Sequence, residues 1–189
     1  MNNKDIIENF NLLATTWDLH VNKSKETINT IFSYANIEKG KDILDVGCGT
    51  GVLIEDYLEA KVNSITAIDI SDKMIEIARN KYPNVNFKCI DATKFNDNKL
   101  YDAIILYNCF PHFADKKETI KHLSSLLKEN GKLVIAHSNN INKLMENNNP
   151  KISELIKADE IKKLLSTYLK DIKQIDNDHM YLCVGSLIK

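Results

Sequence analysis

Arginine is nearly missing from this chain: of its 25 basic side chains, only Arg79 is an arginine. Bidentate guanidinium readout of guanine is therefore out of reach. With 26 acidic residues the net charge is −1, so no bulk positive potential exists to hold a nucleic acid. Cysteine is sparse and scattered, at Cys48, Cys89, Cys109 and Cys183. No Cys-x-x-Cys pair occurs, which excludes a disulfide framework or a cysteine-built zinc site and reads as reduced thiols of a cytosolic protein. No apolar run approaches the roughly 18 residues of a spanning helix. Met1 to Phe10 is polar and lacks the apolar core of a signal peptide. The expectation is a soluble, cytoplasmic protein. Proline and glycine number 3 and 6, too few for a low-complexity or linker-rich chain, so each one carries positional meaning.

What is present is an ordinary globular composition, 43% hydrophobic and 27% charged over 189 residues. That length predicts one domain at roughly 100–200 residues per domain, and a core that buries about 70% of the unfolded surface without metal or disulfides. Ile6, Phe10, Leu13 and Trp17 recur at helical spacing, as do Ile28, Ile31, Phe32 and Ala35. These form a helical lead-in over residues 1–40. Asp42 to Val46 is then a short apolar run stopped by glycines, as suits a buried parallel strand. Strands are predicted again at Ser64–Ile68, Asn86–Ile90, Tyr101–Tyr107 and Lys132–Ala136. Helices fall between them: residues 52–60, a helix N-capped by Ser71 that ends before Pro83, and one opened by Asp115 that carries Ile120, Leu123, Leu126 and Leu127 to a stop at Gly131. Asn147 to Pro150 reads as a loop. Ile161, Leu164, Leu165, Tyr168 and Leu169 mark a further helix, and Asp171–Asp176 and Met180–Ile188 a terminal hairpin turned at Asn177-Asp178. Strands alternating with helices predict an α/β fold around a parallel sheet, with one antiparallel strand from the hairpin.

The chemistry concentrates in Asp45-Val46-Gly47-Cys48-Gly49-Thr50-Gly51, between the first strand and the following helix. Glycines there let the backbone turn tightly and meet a ligand closely, and a helix N-terminus favours negative charge. Asp69 ends the next strand, where a carboxylate accepts hydrogen bonds from two ribose hydroxyls. The spacing is GxGxG, whereas a dinucleotide fingerprint reads GxGxxG.

With DVGCGTG, AIDIS, CIDATKF, YDAIILYNCFPHF and LKENGKLVIAHS in order between Lys41 and His137, the sequence resembles the class I S-adenosylmethionine-dependent methyltransferases, in particular the small-molecule kind called methyltransferase type 11. The resemblance implies a Rossmann-like, doubly wound and mostly parallel seven-stranded sheet under an N-terminal helical lid, with S-adenosylmethionine as cofactor. It divides a single domain into a lead-in or lid (1–40), a cofactor-binding core (41–137), and a C-terminal helix and hairpin (138–189). By the same resemblance Asp45, Gly47, Gly49 and Gly51 line the methionine end of the cofactor and Asp69 holds the ribose. Ile70 and Met74 flank the adenine, Asp91 and the Ala92 backbone meet its amino group, and Tyr107 and Asn108 face the methionyl group and the open site. Trp17 becomes a lid residue over that site or, on its helical spacing alone, a core residue.

Asn108-Cys109-Phe110-Pro111 departs from the NPPY or DPPY of amino methyltransferases that act on nucleobases or glutamine. The missing second proline and aromatic disfavour those planar substrates, so the expected acceptor is a small molecule that meets Trp17, Phe110, His112, Phe113 and His137. His112 follows the fourth strand and His137 ends the fifth, which would bring both to the cofactor-binding edge, where an imidazole can take a proton as methyl transfers. His20, His122 and His179 read as structural or surface residues. Cys109 with His112 offers a Cys-x-x-His spacing, weak support for a metal, and none is expected. The competing readings are a nicotinamide-dependent oxidoreductase, which lacks its GxGxxG and a Tyr–Lys proton donor here, and a non-catalytic cofactor-binding partner of another enzyme. No membrane or nucleic-acid partner is expected, and the protein is a monomer or a homodimer.

Overall fold

A computed structural model describes residues 3–21, 23–139 and 157–187. At its centre lies a seven-stranded sheet in the order β3-β2-β1-β4-β5-β7-β6. The strands are β1 (Asp42–Val46), β2 (Ser64–Asp69), β3 (Asn86–Cys89), β4 (Tyr101–Tyr107), β5 (Leu127–His137), β6 (Lys170–Asn177) and β7 (Met180–Ser186). Neighbours from β3 through to β5 pair in parallel, while β7 runs antiparallel to both β5 and β6. The helices are α1 (Asn3–Leu13), α2 (Trp17–His20), α3 (Lys25–Ala35), α4 (Ile54–Glu59), α5 (Asp72–Lys81), α6 (Lys116–Ser125) and α7 (Ala158–Ser166), with 3-10 turns at Ala14–Thr16 and Phe110–His112. The doubly wound, mostly parallel sheet read from the sequence is present, including the single antiparallel strand.

Alternation along each strand sorts side chains into two cores. Ile43, Ala103, Ile105, Tyr107, Val134 and Ala136 face α3, α4 and α5, where Ile31, Ile54, Tyr57 and Ile75 pack on them. Leu44, Ile104, Leu106, Leu133 and Ile135 face α6 and α7, against Ile120, Leu123, Ile161 and Leu165. Both faces of β1 and β4 are covered, and apart from Asp42, Asp45 and Asp102 their residues are apolar or aromatic. Ser71 and Asp115 cap α5 and α6 as expected, accepting from the Met74 and Glu118 amides.

The lead-in departs from one continuous helix. α1 stops at Leu13, and after the 3-10 turn Trp17 opens α2 rather than ending the first helix. α6 also ends earlier than its apolar stripe suggests. Leu127 already pairs with Tyr101, and a register irregularity on the Tyr101–Ala103 side of β4 extends β5 backward past Gly131. Gly131 therefore lies within β5, where a Cβ would stand 2.8 Å from the Lys128 carbonyl. The Asn147–Pro150 loop lies outside the described residues.

Candidate active site

The carboxyl ends of β1, β2 and β4 open into a cavity of about 420 Å³. At its floor the Gly47 and Cys48 amides both donate to the Ile68 carbonyl, at 2.8 and 3.1 Å, which pins the glycine loop to β2. Gly47, Gly49 and Gly51 all have positive φ. At Gly47 the requirement is double, since a Cβ there would stand 2.7 Å from Cβ of Cys109. The loop after β4 thus lies directly against the loop after β1.

Asp69 is fixed by two backbone donors, the Gly49 amide at 2.8 Å and the Ser71 amide at 2.9 Å, one on each oxygen. Its carboxyl lines the cavity with lone pairs left for a ligand's hydroxyls. Burial raises its pKa, while the backbone donors pull the other way. Asp45 is 2% exposed and lines the same floor, yet its Oδ2 has no hydrogen-bond partner. Burial, and then the charge of Asp69, push its pKa up to about 8. An orphaned buried carboxylate next to a glycine cradle is what a ligand ammonium would complete.

Ile70, Met74, Ile90 and Ala92 make an apolar slot beside Asp91. Asp91 accepts from the Thr93 amide and hydroxyl on one oxygen and from the Asn3 amide on the other. Tyr107 and Asn108 end β4. Asn108, at φ 55°, ties β4 to β5 by accepting from the Ser138 amide at 2.8 Å. The Tyr107 hydroxyl, with Asn108 and Ser138 beside it, finds no partner in hydrogen-bond geometry.

The lead-in covers this floor. The Trp17 indole nitrogen stands 3.4 Å from where a Gly49 Cβ would be. Phe10 meets Trp17 edge-on at 5.6 Å and His112 edge-on at 5.0 Å. The cover is tethered by Asp18, which accepts from the Thr50 hydroxyl and from Lys81, and by Asn11, which meets Ser71 and Asp72.

Among the sequence-derived site residues, the cavity brings together Trp17, Asp45, Gly47, Gly49, Asp69, Ile70, Met74, Asp91, Ala92, Tyr107, Asn108, His112 and Phe113. Gly51, Phe110 and His137 do not line it. Gly51 abuts Tyr82 and Ile54, and Phe110 is fully buried in the α6-side core. His137 shares the strand parity of Leu133 and Ile135, so its ring enters that core beside Tyr181, at 6.3 Å between centroids. Both its ring nitrogens lack partners, and burial, with a lesser push from His112, lowers its pKa to about 3. It is a neutral interior imidazole, and the pairing of His112 and His137 in one cleft is corrected accordingly. His20, read as structural or surface, instead lines the cavity, as do Asn3 and Phe10. Nothing in the local sequence marks Asn3 or His20, because their roles come from α1 and α2 folding over the loops. Among the described residues no three His, Cys, Asp or Glu side chains gather as metal ligands.

Residues 43–131 match the family model of a methyltransferase domain. A malonyl-[acyl-carrier protein] O-methyltransferase of Acetivibrio thermocellus is 35% identical over 142 residues, 72% of this chain and 50% of the relative. The chain belongs to the class I S-adenosylmethionine-dependent methyltransferases. A putative methyltransferase 235L of Invertebrate iridescent virus 6 is 32% identical over 148 residues, 77% of this chain and 53% of the relative. This methyltransferase chain thus spans about half the length of the curated relatives it matches. Its fold is that of the N-methyltransferase NodS from Bradyrhizobium japonicum, solved with S-adenosylhomocysteine, with TM-score 0.77, 15% identity and complete coverage of both chains. The family's cofactor is S-adenosylmethionine, and the floor fits it: a glycine cradle, an orphaned carboxylate for an ammonium and a fixed carboxylate for ribose hydroxyls.

Proposed function

We propose that this protein transfers the methyl group of S-adenosylmethionine to a small-molecule acceptor held between the end of β4 and the lid of α1 and α2. The observation that carries the reading is the pairing of Asp45 and Asp69 on one floor, one carboxylate unpartnered and the other locked by the Gly49 and Ser71 amides. Asp45 holds the methionyl ammonium, Asp69 the ribose hydroxyls, and Asp91 the adenine edge between Ile70 and Met74. When bound, the cofactor supplies a methyl group already activated on a sulfonium, so the chain's work is alignment, worth on the order of 7–11 kcal/mol. Tyr107 and Asn108 set the junction between donor and acceptor. His112, the cavity-lining imidazole that follows β4, takes a proton from an acceptor that arrives protonated. Phe10 and Trp17 exclude water from above. Neither nucleic acid nor a membrane is a partner, and the protein works in the cytoplasm as a monomer or homodimer.

Calorimetric titration with S-adenosylmethionine, S-adenosylhomocysteine and NAD tests this. Saturable binding of the two sulfur compounds, weakened at least tenfold by Asp69→Ala, is expected. Binding of NAD alone would refute it. Binding of the sulfur compounds without methyl transfer across a broad acceptor panel would favour a non-catalytic partner of another enzyme.

A further inference from the structure

We infer that the methyl acceptor is an amine, bound as its ammonium, an inference that rests on the methyltransferase reading above. The cavity's lining includes the aromatic residues Phe10, Tyr107 and Phe113, with His112, His20 from the lid and Asp115. Ring faces attract cations through their quadrupoles. The charges favour the same ligand. Among the described lining residues, four carry carboxyl groups, Asp45, Asp69, Asp91 and Asp115, and none is Lys or Arg. S-adenosylmethionine brings one net positive charge (sulfonium and ammonium against one carboxylate), so the loaded cavity stays negative. A carboxylate or phosphate entering beside it would meet like charge in a water-poor site, whereas an ammonium would be drawn in.

A second, independent observation points at the ligand itself. Tyr107, 6% exposed, lines the cavity, and its buried hydroxyl lacks a hydrogen-bond partner. A phenol oxygen accepts as well as donates, so it can take an N–H of the ammonium. Burying such a group unpaired is costly, and a ligand N–H relieves that cost. The ammonium has no lone pair until one proton leaves. That proton passes to the imidazole of His112, and the freed nitrogen pair then forms the bond to the methyl carbon while the carbon–sulfur pair stays on sulfur.

The test uses the full chain saturated with S-adenosylhomocysteine and titrated with 2-phenylethylamine and, separately, 3-phenylpropionate, which presents a carboxylate on the same two-carbon arm. The amine is expected to bind at least tenfold more tightly. Asp115→Asn, which keeps the N-cap of α6, and Tyr107→Phe should each shrink that ratio by threefold or more, and added salt should shrink it in the wild type. Equal affinities, tighter binding of the carboxylate, or no binding of either to the loaded protein would overturn the inference. Failure of S-adenosylhomocysteine itself to bind would instead overturn the methyltransferase reading beneath it.

Discussion

At the scale of single residues, the floor of the site is built by steric exclusion as much as by attraction. Gly47 sits at φ 69° with a virtual Cβ 2.7 Å from Cβ of Cys109 and 2.8 Å from its sulfur. The Cys109 thiol donates to the Val46 carbonyl at 3.1 Å, so it is held from retreating. Gly47→Ala therefore carries both a left-handed backbone penalty and an overpacking penalty, together about 2–5 kcal/mol. The expected outcome is a melting temperature lower by on the order of 10 °C, with S-adenosylhomocysteine affinity reduced more than tenfold because the two loops must part. Thermal melts and calorimetry check both, and a variant that melts and binds like the wild type would show that the loops yield freely. Gly49→Ala meets only the edge of the Trp17 indole at 3.4 Å, alongside the strain of φ 54°, so it should disturb the lid more than the floor.

At the scale of elements, α1 and α2 form a cover latched at separate points along the strand ends: Asn3 on Asp91, Asn11 on Ser71 and Asp72, Asp18 on Thr50 and Lys81. Trp17 is the chain's one tryptophan and stands over the glycine loop. Its fluorescence should change saturably as S-adenosylhomocysteine binds, with no change in Asp69→Ala at the same concentrations. Trp17→Ala should raise the dissociation rate of the cofactor several-fold while lowering stability little, because the indole is only half-buried. Stopped-flow displacement separates these effects, and an unchanged off-rate would mean that the cover does not gate the site. These latches were illegible in the sequence because each joins residues dozens of positions apart, such as Asn3 and Asp91 across 88 residues. β1 and β4, by contrast, were legible to the residue, because parallel strands covered on both faces are predominantly apolar, Asp45 in β1 being the exception that serves the site, and glycine or a polar turn marks their ends. The end of α6 was not: Leu126 and Leu127 continue the helical stripe, yet pairing of Leu127 with Tyr101 claims that stretch for β5. His137 was misplaced for a related reason. Strand position puts a residue at the right edge, but only parity decides which layer its side chain enters.

For the whole molecule, two buried titratable groups on opposite faces of one sheet set opposing pH trends. Asp45 holds its proton in the folded protein up to about pH 8, against 3.8 for its ordinary value. Between those limits the unfolded chain has released a proton that the native state keeps, so stability falls as pH rises, by up to about 1.4 kcal/mol per pH unit. His137 stays neutral in the folded protein down to about pH 3, against 6.5. Below 6.5 the unfolded chain takes up a proton that the native state refuses, so stability falls as pH falls, with a similar slope. The two trends offset each other between about pH 4 and 6.5 and leave Asp45 alone above that. Urea unfolding of the ligand-free protein from pH 4 to 8.5 should show the difference between Asp45→Asn and wild type growing steadily up to pH 8, in favour of the variant. For His137→Phe the difference should instead grow as pH falls below 6.5. Taking differences from wild type removes the carboxylates common to all three proteins, such as Asp42, held below its ordinary range by Lys128, and Asp102, held below its own by the Asp42 amide and then Lys128. The cofactor enters the same balance, since an ammonium beside Asp45 favours the ionised carboxyl. S-adenosylhomocysteine should then bind more tightly as pH rises from 6 to 8, releasing a proton that makes the calorimetric enthalpy depend on the buffer. Asp45→Asn should bind more weakly, with affinity and enthalpy that no longer respond to pH or buffer. A buffer-independent enthalpy in the wild type would place the ammonium elsewhere than on Asp45.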